Sequence, residues 1–110
     1  MERFVKGDIV VIPFPFSDLS GSKKRPALVL TDLQGDDIML CQITSQQVKD
    51  SYAIPLKNSD FDTGRLTAPS NIRPNRIFTG DKNIIIKKAA SLKEPAVNTV
   101  VQKIIDIISR

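Results

Sequence analysis

Three short stretches hold the residues best suited to chemistry. The first is Ser20-Gly21-Ser22-Lys23-Lys24-Arg25-Pro26, where a polar Gly/Ser loop leads three consecutive cations into the apolar run Ala27-Leu28-Val29-Leu30. Pro26 fixes its own φ and biases Arg25 towards extended backbone. One guanidinium fork is thereby held at the mouth of a strand, a geometry that suits phosphate. The competing reading is a solvated charge run that guards an apolar strand against aggregation. The second stretch is Thr44-Ser45-Gln46-Gln47. Hydroxyls and amides at a strand end can donate to phosphate oxygens or to a developing oxyanion, or can simply turn the chain. The third is Arg73-Pro74-Asn75-Arg76. Two cations and an amide in a proline-stiffened segment can line a groove for single-stranded nucleic acid, or form an ordinary charged turn.

Much other chemistry is excluded by composition. The chain has no histidine and one cysteine, so the commonest general base is missing and the usual zinc ligands are too few. No metal or cofactor is expected. Cys41 lies inside an apolar run and reads as a buried structural thiol with no histidine to activate it. Asp60 and Asp62 read as part of a solvated loop rather than a metal site. The net charge of +4 favours a polyanionic partner only mildly.

Positioning these stretches requires a fold that 110 residues and a 41% apolar fraction can build, namely one domain over residues 1–110 with one modest core. Apolar runs such as Ile9–Ile12 and Ala27–Leu30 are four residues long, against about 20 for a membrane span. Residues 1–7 lack the apolar core of a secretory signal, and a lone thiol suits a reducing compartment. The expectation is a cytoplasmic protein with no membrane association.

Ile9–Ile12 reads as a strand opened by Gly7-Asp8 and then stopped, or confined to an edge, by Pro13 and Pro15. Ser17–Lys24 reads as a loop. Ala27–Thr31 and Ile38–Thr44, joined through Gln34-Gly35-Asp36-Asp37, read as a hairpin. Its open end would bring Arg25 and Thr44 to the same spot on adjacent strands. Tyr52–Leu56 predicts a short strand and residues 57–64 a polar loop. Further strands are expected near Ala68–Ile72, Arg76–Thr79 and Ile84–Ala90. The period then changes: Val97, Val100, Val101, Ile104, Ile105 and Ile108 mark one face of an amphipathic helix, with Glu94 and Pro95 in its first turn. The pattern predicts a mainly β protein, a small and strongly bent sheet or barrel followed by a C-terminal helix.

Several of these pieces carry a family resemblance. Gly7-Asp8-Ile9-Val10-Val11, Phe14-Pro15-Phe16-Ser17-Asp18 and Gly21-Ser22-Lys23-Lys24-Arg25-Pro26-Ala27-Leu28-Val29-Leu30 resemble the opening of the MazF/PemK toxins. Ile43-Thr44-Ser45-Gln46 and residues 70–79 resemble later parts of that family in the right order, and the terminal helix matches too. The resemblance covers nearly the whole chain. It implies an SH3-like β-barrel with a C-terminal helix, acting as a homodimer. It also implies a sequence-specific, metal-independent endoribonuclease that cuts single-stranded mRNA and is neutralised by a cognate antitoxin laid over the RNA groove.

By motif match the family's catalytic arginine and threonine fall on Arg25 and Thr44. Ser22, Lys23, Lys24, Ser45, Gln46, Arg73, Asn75 and Arg76 are the expected RNA contacts. The position of Asn75 is acidic in several members, and an amide cannot accept a proton as a carboxylate does. Asn75 is therefore read as a base or phosphate contact. Two rivals stay open on sequence: a barrel that binds RNA without cutting it, and a gyrase-poisoning toxin of the same fold.

Overall fold

The apolar runs of the first half become three adjacent strands, β1 (Asp8–Phe14), β2 (Lys23–Asp32) and β3 (Asp37–Thr44). They belong to a computed structural model that describes residues 3–14 and 23–110. Four more strands complete the sheet: β4 (Ile54–Pro55), β5 (Phe61–Gly64), β6 (Asn71–Asp81) and β7 (Lys87–Leu92). The order is β4-β6-β3-β2-β1-β7-β5, with every pair antiparallel. The two edge strands, β4 and β5, are joined by residues 56–60 alone. A flat seven-stranded sheet would hold its outer strands roughly 29 Å apart, at about 4.8 Å per step. The connecting chain reaches only about 20 Å when extended. The sheet therefore has to curl, and it forms a half-barrel.

Helix α1 (Glu94–Ile108) packs on this half-barrel, with Glu94 and Pro95 in its first turn as the sequence predicts. Val97 and Val100 are buried, but the stripe does not stay covered to its end: Ile105 is 45% and Ile108 75% exposed. Among the described residues no helix is long and apolar enough to cross a membrane.

Strand alternation sends side chains to two buried faces. On the helix side Ile9, Leu28, Leu30, Cys41, Ile43 and Ile72 pack with Val97 and Val100. On the other side Phe4, Val10, Ile12, Ala27, Val29, Ile38 and Leu40 form a second cluster, lined by Phe78 and Ile85. Burial on both faces explains why these strands read as unbroken apolar runs rather than as apolar–polar alternation. Each fully buried Leu or Ile contributes about 1.5–3 kcal/mol.

Several boundaries differ from the sequence reading. β1 continues through Pro13, which pairs with Lys24 of β2. Its pairing with β7 has already ended at Val11, so Pro13 withholds no hydrogen bond on that side. Because β1 continues, Lys23 and Lys24 find partners and belong to β2 rather than to a loop. The expected loop at 57–64 contains a 3-10 turn (Asn58–Asp60) and β5, a short polar edge strand with no apolar period to announce it. The two strands expected around residues 68–79 are one, β6, broken by an irregularity. Cys41 faces Ile77 and Ile43 faces Ile72, so residues 73–76 bulge against the single residue Gln42. Pro74, fully buried within this bulge, has no N–H to give the ladder.

Candidate functional site

The register of β2 and β3 organises the site. Their ladder has Leu28 opposite Cys41 and Ala27 opposite Gln42. Two residues further along the same register, Arg25 stands level with Thr44. Alternation places both on the Ala27/Leu40 face, with Lys24, Pro26, Ile43 and Ser45 on the other. Thr44 is 6% exposed. Its Oγ accepts a hydrogen bond from the Gln46 N–H at 3.1 Å, and among the described residues its own proton has no acceptor.

A cavity of about 330 Å³ opens at this end of the sheet. Lys24, Arg25, Pro26, Ile43 and Ser45 line it from β2 and from β3 and its end; Val11 lines it from β1; Lys87 and Ala89 line it from β7. The chain leaving β5 closes it with Arg65, Leu66, Thr67, Ala68 and Ser70. The strand order makes this possible, since Val11 lies opposite Pro26 on one side and Lys87 on the other. Ser70 is buried and donates to the Ala68 carbonyl at 2.9 Å. Gly64 fixes where Arg65 begins. It has φ +68°, and a Cβ there would stand 2.4 Å from the Ala89 carbonyl oxygen, a position that only glycine fills without strain.

Four cations therefore line one cavity, and no carboxylate does. Thr44 stays outside this lining while its neighbours Ile43 and Ser45 are part of it. The cavity adjoins the Arg25–Thr44 row, sharing Arg25, and lies on the helix-side face.

The β6 bulge brings the third stretch to the same level of the sheet, beside Gln42–Thr44. Its members differ in availability. The Arg73 guanidinium pairs with Asp50 at 2.9 Å, with 19% of its side chain exposed, and its Nε is buried without a partner. Asn75 and Arg76 are exposed. Lys23, Ser45 and Gln46 are also exposed, and Ser22 lies outside the described residues. Cys41 is buried and donates to the Arg73 carbonyl at 2.9 Å. Burial pushes its thiol up to about 12, in keeping with the structural thiol read from the sequence. Sequence reasoning did not find Arg65, Thr67, Ser70 or Lys87. The only local hint was Gly64, placed by the sequence reading in a polar loop.

Fold and site together define a small curled β half-barrel with a cation-lined mouth and a C-terminal helix. The profile of the family described as "PemK-like, MazF-like toxin of type II toxin-antitoxin system" matches residues 5–108, and the chain belongs to that family. Solved structures share the fold. MazF from Deinococcus radiodurans superposes with a TM-score of 0.77 at 16% identity, covering 100% of both chains. An endoribonuclease from a mycobacterial species, in complex with its cognate antitoxin, gives 0.76 at 12% identity, covering 97% of this chain and 96% of the other. The Mycobacterium tuberculosis toxin MazF-mt6 gives 0.68 at 15% identity, covering 93% and 96%. No curated protein matches in sequence.

Proposed function

We propose that this protein is the toxin of a type II toxin–antitoxin pair, a sequence-specific endoribonuclease that cuts single-stranded mRNA without a metal ion, with residues 1–110 acting as one domain. The observation that carries the reading is the level placement of Arg25 and Thr44 beyond the last β2–β3 ladder pair. Family membership supports it, as do the relatives of the same fold described as an endoribonuclease and as MazF bound to MazE or to an antitoxin.

In the proposed reaction the substrate's 2′-oxygen attacks the adjacent phosphorus and the bond to the 5′-oxygen breaks. The 2′-OH proton leaves to a base and the departing 5′-oxygen takes up a proton. The products are a 2′,3′-cyclic phosphate and a 5′-OH. Arg25 offers two parallel donors to the phosphoryl oxygens, whose negative charge rises in the transition state. Thr44 offers its unclaimed hydroxyl proton to the same group. Ser22, Lys23, Lys24, Ser45, Gln46, Asn75 and Arg76 hold the flanking strand, and Arg73, already paired with Asp50, holds it mainly by fixing the bulge. A cognate antitoxin neutralises the toxin by lying over this surface, in the cytoplasm. The active unit is a homodimer. Supporting this, Val5, Ile77, Ile84 and Ile86 are 40–47% exposed and each neighbours Phe4, Phe78 or Ile85 of the second cluster, as an apolar interaction surface requires.

The test incubates wild type and Arg25→Ala with long single-stranded RNA in EDTA. Discrete fragments with 5′-OH ends are expected from wild type, and a rate lower by about 10²–10³ from the variant. RNA left intact by folded wild type across many sequences overturns the reading, and equal cutting by the variant removes Arg25 from its role.

A further inference from the structure

We infer that the cavity at the sheet end seats one nucleotide of the RNA strand beside the cut, with Arg65 and Lys87 holding its phosphate. This rests on the endoribonuclease reading above and assigns residues that neither the sequence motifs nor the Arg25–Thr44 row contain.

Charge carries the argument first. Among the described residues, Lys24, Arg25, Arg65 and Lys87 have no ion-pair or hydrogen-bonding side-chain partner, although all four line one cavity. Cations elsewhere are compensated: Arg73 by Asp50, Lys82 by Asp32, and Lys88 by Asp8 at 4.0 Å. Like charges gathered without a counter-charge repel one another and raise the local concentration of anions. A bound phosphate relieves that repulsion.

Shape and lining then select the anion. Val11, Pro26 and Leu66 give the cavity an apolar wall, and Ser45 and Thr67 add hydroxyl donors. Inorganic phosphate needs no apolar wall, whereas a ribose or base uses one. The volume of about 330 Å³ lies at the small end of the about 300–1,000 Å³ typical of ligand sites. It suits one nucleotide and is too small for a duplex. Lys87 and Pro26 flank Val11 in one row, which puts the β2 and β7 backbones about 10 Å apart. Long side chains from both strands thus converge on a strand running from the Arg25–Thr44 row into the cavity.

The experiment uses a random-sequence pool of single-stranded 2′-O-methyl RNA, which cannot be cut because the attacking hydroxyl is blocked. Its Kd is measured against salt for wild type, Arg65→Ala/Lys87→Ala and the surface control Lys93→Ala. The double variant is expected to lower the slope of log K against log salt by about 1.4, at about 0.7 per phosphate contact for single strands. With cleavable RNA its KM rises while kcat is kept, Lys93→Ala behaves as wild type, and Arg65→Lys/Lys87→Arg restores the slope. If the double variant does not fold, Arg65→Gln and Lys87→Gln are each expected to lower the slope by about 0.7. An unchanged slope overturns the assignment, as does weakened binding of poly-L-glutamate with RNA binding intact, which would give the cavity to an acidic polypeptide. Wild type that cuts RNA while the variants keep its slope overturns the nucleotide seat alone. Wild type that cuts nothing, yet shows the slope change in its variants, overturns the endoribonuclease reading and leaves the cavity as an RNA site.

Discussion

The Arg73 guanidinium donates to the Asp50 carboxylate at 2.9 Å, tying the β6 bulge to the chain that follows β3. Partial burial pushes the Asp50 carboxyl upward. The hydrogen bonds from Arg73 and from the Tyr52 and Ala53 N–H groups, with the Arg73 charge, outweigh that and hold it below its ordinary 3.8. A carboxylate lowered on folding stabilises the native state above its unfolded value, and the gain is lost as pH falls through the folded value. Wild type is therefore expected to be more stable than Asp50→Asn at pH 7, with the gap narrowing only below about 3.8. Urea unfolding of both proteins from pH 7 to pH 2.5 checks this; a gap that closes between pH 6 and 5 would contradict it.

Thr44 separates a hydroxyl role from a packing role. Its Oγ accepts from the Gln46 N–H, and its proton is free among the described residues for a phosphoryl oxygen. Thr44→Val keeps the shape and removes the oxygen, and is expected to lower kcat by about 10²-fold. Thr44→Ser keeps the oxygen and is expected to retain most of the rate. Single-turnover cleavage of one RNA reads both, and equal rates for the Val and Ser variants would remove the hydroxyl from the mechanism.

Gly64 tests how tightly β5 must approach β7. Its φ of +68° alone costs a non-glycine residue about 1–3 kcal/mol. A Cβ 2.4 Å from the Ala89 oxygen forces the backbone to shift as well. Gly64→Ala is expected to lose at least that stability in urea and to weaken RNA binding, because Arg65 moves with it. A variant as stable as wild type would mean that the two strands separate freely.

Ile86 is 47% exposed beside Ile85 of the second cluster. If this face joins two copies, Ile86→Asp places a charge in the contact and is expected to shift sedimentation from dimer to monomer without loss of secondary structure. An unchanged dimer would move the contact elsewhere.

Much of the architecture was legible in the residues because its signals are local. The 3.6-residue apolar period after Glu94 marks α1, and the Gln34–Asp37 turn between two apolar runs marks the β2–β3 hairpin. Thr44 and Arg25 could be placed together because one hairpin fixes both. Weak signals failed where the tertiary environment decided. β5 is a polar edge strand held by β7, and the 73–76 bulge accommodates a proline inside what is otherwise one strand.

By itself, the sequence determined the mainly β class, the terminal helix, the hairpin and the motif order that family membership now accounts for. Only the tertiary structure decided which cations share a cavity. Lys24 and Arg25 belong to β2, Lys87 to β7, and Arg65 follows β5. No local period links them, and they meet because the sheet curls until β2, β1, β7 and β5 present their ends to one mouth. The tertiary structure also decided that Arg73 is neutralised by Asp50 while Arg65 and Lys87 have no partner among the described residues. Charge pairing depends on through-space distance, which non-local strand register sets and sequence spacing does not.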